Sequence, residues 1–497
     1  MKQVLTPEES RQTDRALIED YGIPELTLME RAAEGVARAV RRQVRPPERT
    51  LVLCGTGNNG GDGLAVLRLL HEAGYPADGF LYGSPETLRG DAKTNYTRAL
   101  ACGCHLLEEA PQFDAYRCVV DALFGTGLSR DLSPQLCELI GALNRSGAYT
   151  VAVDIPSGID GLTGRRCGAA VEADETVTFQ YLKRGLLLFP GRSCAGRVSV
   201  HPIAEPHPAA SAVCWLEEGD VAALLPARPL DSHKGNNGRA LLCVGSARYT
   251  GAALLSARAA LRGGAGLLTV AVPAAVKPAF AQVPEAMCAP CGDGTDWDVQ
   301  AQAAAARLLP GATAVGIGSG MGEMADAALL GAVLRSGLPA VIDADALNLL
   351  ARRQDMFALL HANCVLTPHP AEMARLMQCE TAAVLADPIG IAREMAARWR
   401  CTVLLKGATT CISDGECVLL NTSGNPGLAK GGSGDVLTGL LLALLAQRLL
   451  PIDAACAAAY LLGASADRAY ALLGNRMLVA GDVIDAIREE IRAERAR

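Results

Sequence analysis

Four scarcities in the 497-residue chain narrow its class before any motif is read. Aromatic residues are few, 4% of the total, while Gly and Ala are abundant and half of all residues are hydrophobic. That balance belongs to α/β proteins, whose helices pack closely on sheets. Charge is sparse as well: Asp, Glu, Lys and Arg make up 20%, the formal net charge is −7, and Lys and Arg form no run. A nucleic-acid surface is therefore not expected, and the expected partner is a small molecule. The opening MKQVLTPEESRQTDR lacks the apolar core of a signal peptide, so the protein is expected in the cytoplasm. No apolar run is long enough to span a bilayer: residues 436–445 cover about half the required length and read as a buried core helix.

Cysteine is plentiful, yet a disulfide framework is missing. The 17 cysteines are odd in number, irregular in spacing and set in apolar stretches such as LLCVG and ANCVL, where a thiol behaves as a small buried hydrophobe. Cys288 and Cys291 form a CxxC, and Cys102, Cys104 and His105 lie close together. Neither group has a second ligand pair, so zinc or redox chemistry is not expected.

At roughly 100–200 residues per domain, the length suggests two to four domains. Thr6-Pro7-Glu8-Glu9 offers a cap, a first-turn proline and an acid three residues on, and so opens an N-terminal helix pair. Strand–turn–helix units follow at TLVLC (Thr50–Cys54), at residues 118–121 and at residues 150–154, with short apolar strands that predict a parallel sheet covered on both faces. A Pro- and Ala-rich stretch over residues 202–229 is the candidate linker, with the boundary near residue 210. The alternation restarts at residues 240–245 and continues through LLTVAV, AVGIGSG, AVIDAD, CVLTPH and TVLLKG. A second nucleotide-scale domain is thus predicted, 211–497 after 1–210.

In the first domain, the Gly-rich segment at residues 55–63 joins a strand to a helix. Its glycines permit close backbone approach, the helix start offers free N–H groups, and the Asn carbonyls can ligate a cation. Alone it fits a structural turn or a dinucleotide fingerprint, although Asn-Asn-Gly-Gly-Asp departs from GxGxxG spacing. Two further strand ends, Asp121 before FGTGLSRD and Asp154 before IPSGIDG, are expected at the same sheet edge, where ligands gather.

Residues 1 to about 205 resemble the YjeF N-terminal, or NAD(P)H-hydrate epimerase, family through LTLMERAAEGVAR, CGTGNNGGDG, DALFGTGLSR, VDIPSGIDG and KRGLLLFPG. The resemblance implies a Rossmann-like three-layer α/β/α fold and a potassium site at Asn59, Asp121 and Ser157. It implies substrate binding by Asn58, Asn59, Gly60, Gly61 and Asp62, by Gly125, Thr126, Gly127, Leu128, Ser129, Arg130 and Asp131, and by Asp154. Inverting carbon 6 of a hydrated nicotinamide ring needs acid–base help, for which Asp154 is the candidate. Capping the IPSG turn is its structural alternative. Ala33 stands where the family usually has Gly, a departure expected to affect helix packing.

In the second domain, Lys430-Gly431-Gly432-Ser433-Gly434-Asp435 precedes a long apolar helix. Glycines at a helix start form an anion hole, and Asp435 can take a proton from a hydroxyl attacking phosphorus. A helix start that merely holds Asp435 against its dipole is the structural alternative. The arrangement resembles the ribokinase-like superfamily, which implies a C-terminal ribokinase-like α/β/α fold. More narrowly, residues from about 212 resemble the ADP-dependent NAD(P)H-hydrate dehydratase family through SHKGNNGRALLCVGSARYTG, GIGSGMG, VIDADALN, LTPHPAEMARL, LLKGATT and NPGLAKGGSGDVLTG. The turn Cys243-Val244-Gly245 departs slightly from the family's Gly-Gly-Ser.

This second resemblance implies ADP binding by Lys406, Gly407, Ala408, Thr409, Thr410 and Gly434, with magnesium. It implies that Ala252, Gly320, His369 and Asp435 bind the hydrated cofactor, NADHX or NADPHX, with Asp435 catalytic. The structural alternative for His369 is to satisfy a buried backbone carbonyl, and Lys406 can simply end its strand at solvent. The residues themselves leave open a small-alcohol kinase with a non-catalytic N-terminal binding domain. The Ala- and Leu-rich helices suit a homo-oligomer.

Overall fold

The computed structural model describes residues 1–205, 211–225, 229–324 and 326–495. Two compact units emerge, Lys2–Ser211 and Ala212–Arg497. The boundary residue 210 and linker residues 206–210 and 226–228 lie outside the described residues.

In the first unit, Thr6 accepts the Glu9 N–H at 3.1 Å while the Glu9 carboxylate takes the Thr6 N–H at 2.7 Å, a reciprocal cap that opens helix Pro7–Glu19. Helix Glu25–Gln43 follows, with Ala33 fully buried on its core face. The parallel sheet runs in the order His105–Leu107, Ala77–Leu81, Thr50–Cys54, Cys118–Ala122, Tyr149–Val153, Glu175–Phe179 and Arg197–His201. Strand periodicity sends Val52 and Cys54 into the core beneath helices Glu25–Gln43 and Asn58–Glu72. Leu51 and Leu53 instead pack with Leu136, Ile140 and Leu143 on the opposite face. Each such fully buried aliphatic side chain contributes about 1.5–3 kcal/mol.

The chain winds outward from Thr50–Cys54, then returns on its other side at Cys118–Ala122. The loops leaving these two strands therefore diverge at the point where strand order reverses, which is where open α/β sheets form their crevice. One further parallel pair, Lys2–Leu5 with Leu182–Lys183, has no signal in the Pro- and Gly-free opening residues strong enough to be read from sequence.

The second unit repeats the principle. Its strands run Met287–Cys291, Leu267–Pro273, Arg239–Cys243, Ala314–Ile317, Ala340–Ile342, Cys364–Leu366, Thr402–Leu405, Thr410–Ser413, Val418–Asn421 and Val213–Trp215. Order reverses between Arg239–Cys243 and Ala314–Ile317. The hairpin pairs around Thr410–Ser413 are antiparallel, a departure from the parallel pattern predicted by strand–helix alternation. The stretch expected as linker is also partly folded: Val213–Trp215 pairs with Val418–Asn421, and Glu218–Leu224 is a capped helix. Val213, Leu216 and Val221 are buried, and their burial overrides the local Pro and Ala bias. Helix Ser433–Ala446 is buried along residues 436–446, as expected for a core helix. Among the described residues no helix is long and apolar enough to cross a membrane.

Candidate active sites

The first crevice is built by backbone contact as much as by side chains. A Cβ on Gly55 would stand 2.0 Å from the Leu123 carbonyl oxygen, and one on Gly60 1.8 Å from the Gly55 carbonyl oxygen. Only glycine lets these two loops close on one another. Asn58, Asn59, Gly60, Gly61 and Asp62 form the first turns of helix Asn58–Glu72, whose N-terminal amides face the crevice end of the sheet.

Asp121 is fully buried at the end of its strand. Its carboxylate accepts the Ser157 N–H at 2.7 Å and the Ser157 hydroxyl at 2.6 Å, and Ser157 Oγ accepts the Phe124 N–H at 2.8 Å. Asn59 Oδ1 lies beside Gly125, while the buried Asn59 Nδ2 has no hydrogen-bond partner. Burial pushes Asp121 up to about 6 despite the Ser157 and Leu123 hydrogen bonds that oppose it. The structure thus brings Asn59, Asp121 and Ser157 to one place, a carboxylate, a hydroxyl and an amide oxygen with an orphaned polar atom beside them. Hard oxygen donors with a single negative charge fit a monovalent cation. Among the described residues no three His, Cys, Asp or Glu side chains cluster as metal ligands.

Asp154 sits one residue beyond its strand with φ 65°, a left-handed conformation costing a non-glycine residue about 1 kcal/mol or more. The carboxylate is held rather than free. Oδ1 is 2.6 Å from Lys183 Nζ and 3.0 Å from the Thr178 hydroxyl. Lys183 is itself buried, donating also to Thr178 Oγ1 at 3.0 Å and to the Phe179 carbonyl at 2.8 Å. Two further acids share this field. Burial, then the charge of Asp154, raises Asp62 well above the carboxylate range; burial raises Asp14 to about 6 against the pull of Lys183.

Lys183 and Asp14 were not singled out from sequence, although Lys183 stands within the KRGLLLFPG segment. Nothing local marks either as functional, because helix Pro7–Glu19 supplies Asp14 and the short strand Leu182–Lys183, 29 residues beyond Asp154, supplies Lys183. Farther along the crevice loop, Leu128 is buried, whereas Ser129, Arg130 and Asp131 are exposed and Asp131 pairs with Arg165 at 3.1 Å. An ion pair that open contributes little.

The second crevice centres on Asp343, a buried carboxylate at the end of strand Ala340–Ile342. It accepts Lys406 Nζ at 2.9 Å, Thr367 Oγ1 at 2.7 Å, Ser319 Oγ at 3.2 Å and Thr438 Oγ1 at 3.2 Å. Burial alone would raise its pKa, but the Lys406 charge and these hydrogen bonds hold it below the ordinary range. Lys406 therefore does not end its strand at solvent. Its ammonium is committed to Asp343, with Glu372 3.7 Å away. Lys406, Gly407, Ala408 and Thr409 make the turn between the antiparallel strands, and Thr410 begins the second of them.

Gly432 adopts φ 102° and starts helix Ser433–Ala446, placing Gly434 and Asp435 in its first turn. A Cβ on Gly434 would lie 3.8 Å from Asp343 Oδ2 and 3.9 Å from Lys406 Nζ, so the helix start and the Asp343–Lys406 pair face one another. Burial, then the negative charge of Asp343, pushes Asp435 up to about 7. Lys430, from the same glycine segment, caps the carbonyls of Arg476 and Leu478 at 2.6 Å each and is a structural tie.

His369 caps helix Pro370–Met377: Nδ1 accepts the Ala371 and Glu372 N–H groups at 3.2 and 3.4 Å. Its other nitrogen lies 3.4 Å from Glu372 Oε1, and burial lowers its pKa. Gly320 packs against Ala252, since a Cβ there would stand 2.7 Å from Ala252 Cβ. Gly245 donates to the Ser319 carbonyl at 2.8 Å, which joins the atypical Cys243-Val244-Gly245 turn to the same edge. Thus Gly320, Ser319, Asp343, Lys406, Gly434 and Asp435 converge, with His369 reached through Glu372.

The cysteines are all free; Cys102 is exposed, and Cys288 and Cys291 lie on one edge strand.

Two doubly wound α/β units, one with an oxygen-lined niche beside a carboxylate–lysine cluster and one with a glycine helix start beside an acid near neutrality, define a two-domain enzyme of nucleotide chemistry. Residues 25–185 match the family described as YjeF-related protein N-terminus, and residues 240–488 match the family described as NAD(P)H-hydrate dehydratase. The chain is 39% identical to a bifunctional NAD(P)H-hydrate repair enzyme of Moorella thermoacetica, over 97% of this chain and 95% of that one. It is 34% identical to the Escherichia coli enzyme of the same name over 98% and 93%. A ribokinase-like superfamily protein from Enterococcus faecalis, 26% identical, superposes with a TM-score of 0.51, covering 58% of this chain and 99% of its own. The chain belongs to the bifunctional NAD(P)H-hydrate repair enzymes, with an epimerase domain followed by a ribokinase-like dehydratase domain.

Proposed function

We propose that residues 1–210 interconvert the R and S forms of NADHX and NADPHX. Residues 211–497 then dehydrate the S form at the expense of ADP, yielding AMP and phosphate. The observation that carries the reading is Asp435, an acid titrating near 7 in the first turn of a glycine-started helix, across from the Asp343–Lys406 pair.

Hydroxide is a poor leaving group, so the dehydration needs an activated oxygen. Asp435 accepts the proton of the carbon 6 hydroxyl as that oxygen attacks the β-phosphorus of ADP, and AMP departs. The original bond between carbon 6 and its now phosphorylated oxygen then breaks with phosphate leaving, the ring nitrogen supplies electrons, and a proton leaves carbon 5 to restore the dihydronicotinamide. A base whose pKa matches the working pH suits this role. Amides of Ser433, Gly434 and Asp435 stabilise the charge on the transferred group. Lys406, Gly407, Ala408, Thr409, Thr410 and Gly434 hold ADP; Ala252, Gly320 and His369 hold the hydrated cofactor. Lys406 acts through its pairing with Asp343, which fixes the floor beneath the phosphates. Magnesium, supplying charge neutralisation, would arrive on the ADP phosphates, since the described residues offer no dedicated carboxylate cage.

In the first domain, a proton passed through Asp154 to the carbon 6 hydroxyl lets its carbon–oxygen bond break, with water leaving and the ring nitrogen supplying electrons. Water then adds to the opposite face and its proton returns to Asp154, with Lys183 keeping that carboxylate in place. Asn58 to Asp62 and Gly125 to Asp131 embrace the dinucleotide, and Asn59, Asp121 and Ser157 hold potassium, whose charge would steady the loops they join. We place this repair in the cytoplasm, in a homo-oligomer.

The test supplies each purified epimer with magnesium and either ADP or ATP, following recovery of the reduced ring's near-ultraviolet absorbance. Recovery from both epimers with release of AMP and phosphate supports the reading. Accumulation of a stable phosphorylated product would instead make the second domain a small-alcohol kinase. Unchanged epimer exchange in Asp154→Ala would make the first a binding module.

A further inference from the structure

A groove of about 520 Å³ opens beside the dehydratase centre, lined among others by Gly322, Asp345, Asn348, Arg352, Arg375 and Gln378. Three of these residues continue elements already described. Gly322 lies two residues beyond Gly320, Asp345 two beyond Asp343, and Arg375 six beyond His369, about 9 Å along the same helix. The groove therefore starts where the reacting half of the substrate would sit and leads away from it.

Its lining carries donors with open positions, above all Arg375, while Asn348 is hydrogen-bonded to Asp345. Asn348 and Arg352 are one turn apart on helix Ala344–Arg352, and Arg375 and Gln378 are three apart at the end of helix Pro370–Met377. Arg375 makes no side-chain hydrogen bond or ion pair among the described residues. Arg352 has one ion pair within 4 Å among the described residues, with Glu323 at 3.8 Å, a glutamate that is 94% exposed, and its charge also acts on Asp345. The groove's other acid, Asp345, is committed to the Gly322 N–H at 2.8 Å. Two planar guanidinium groups with open donor positions above a cleft large enough for a nucleotide are suited to phosphate oxygens.

We propose that this groove is the subsite for the adenosine half of the hydrated dinucleotide, with Arg375 and Arg352 binding its phosphate oxygens. The assignment rests on the dehydratase reading above and adds its specificity determinant. Phosphate is offered by that half of the substrate in two places, the pyrophosphate common to both cofactors and the 2′-phosphate of NADPHX alone.

Steady-state dehydration of each S epimer at saturating ADP, by the full chain and by Arg375→Ala and Arg352→Ala/Arg375→Ala, tests the proposal. KM is expected to rise about tenfold, the loss of one charge-assisted hydrogen bond, while kcat stays within roughly twofold and epimer exchange and thermal unfolding are unchanged. Arg375→Lys should recover part of the loss. A rise for NADPHX alone assigns the 2′-phosphate, and an equal rise for both assigns the pyrophosphate. Unchanged KM values for both substrates overturn the subsite while leaving the dehydratase reading intact. A wild-type chain that restores no reduced cofactor overturns both.

Discussion

Lys183 Nζ lies 2.6 Å from Asp154 Oδ1, joining a buried ammonium to a carboxylate held in a left-handed backbone conformation. Removing either partner leaves the other charge buried and unpaired, at a cost of about 3–5 kcal/mol. Lys183→Met is therefore expected to lower the unfolding free energy of the first domain by roughly that amount. Epimer exchange should slow at least 100-fold, on the order of a lost acid–base group. Denaturant unfolding and chromatographic separation of the epimers measure the two effects. A variant that is destabilised but exchanges epimers at the wild-type rate would leave the pair a purely structural one.

Asp435 titrates at about 7, and its role as base requires the ionised form. The dehydration rate should therefore rise about tenfold per pH unit below 7 and level off above it. Asp435→Asn should lower dehydration 10²- to 10⁴-fold while epimer exchange continues. The stability consequence has the opposite sign. Between roughly pH 4 and 7 the native state binds a proton that the unfolded chain has released, so unfolding free energy falls as pH climbs through that window. Asp435→Asn should then raise the unfolding midpoint of the second domain above pH 7, a gain that calorimetry reads directly. A pH-independent rate between 5 and 8 would remove Asp435 from the proton transfer.

Two glycines of one helix separate binding from folding. At Gly434 an added Cβ meets nothing nearer than 3.8 Å, whereas at Gly439 it would stand 2.2 Å from the Ser256 carbonyl oxygen. Gly434→Ala should unfold like the wild type but raise the KM for ADP about tenfold or more, because a methyl group occupies the space of an approaching phosphate. Gly439→Ala should instead lose about 1–3 kcal/mol of stability by forcing helices Ser433–Ala446 and Thr250–Arg262 apart. Equal effects of the two substitutions on nucleotide KM would mean that Gly434 is not at the phosphate.

The contrast between these glycines also marks how far the sequence could be read. Strand Thr50–Cys54, the Thr6 cap and the buried helix at residues 436–445 were legible because periodicity, capping chemistry and turn residues act over a few positions. The glycine segments and Asp435 were legible for the same reason. Lys183 and Asp14 were not, since their significance comes from meeting Asp154 and Asp62 across the fold, and a lone Lys or Asp carries no local signature. His369 shows the limit from the other side. From the sequence, a histidine after Leu-Thr-Pro binds substrate or satisfies a buried backbone carbonyl; the distances show instead its Nδ1 accepting two N–H groups at the start of helix Pro370–Met377. The strand at Val213–Trp215 was hidden by the prolines and alanines around it, and it is specified by a partner two hundred residues away, Val418–Asn421.

Potassium should act on the first domain alone. Burial raises Asp121 to about 6, and a cation between Asn59, Asp121 and Ser157 would favour the ionised carboxylate. Exchanging potassium for tetramethylammonium at constant ionic strength is expected to lower the first domain's unfolding midpoint by several degrees. Ser157→Ala should abolish that dependence, whereas dehydration of pure S epimer should be unaffected. Equal midpoints in the two salts would argue that the Asp121–Ser157 hydrogen bonds complete the niche without a metal.

The four bonds to Asp343 come from the ends of neighbouring strands and from the helix behind them: Ser319, Thr367, Lys406 and Thr438. Changing Lys406 alone strands a buried anion, and changing Asp343 alone strands a buried cation, whereas Ser319 and Thr438 keep a hydrogen bond to each other and Thr367 keeps one to the Ile342 carbonyl, each at 3.3 Å. A screen for altered nucleotide use built from single substitutions will therefore find this hub silent, because the intermediates on every route through it fail before their chemistry can be scored. Paired replacements of Asp343 and Lys406 by apolar residues of similar volume are the shortest step that keeps the second domain folded, and they open routes that one-at-a-time variation never samples.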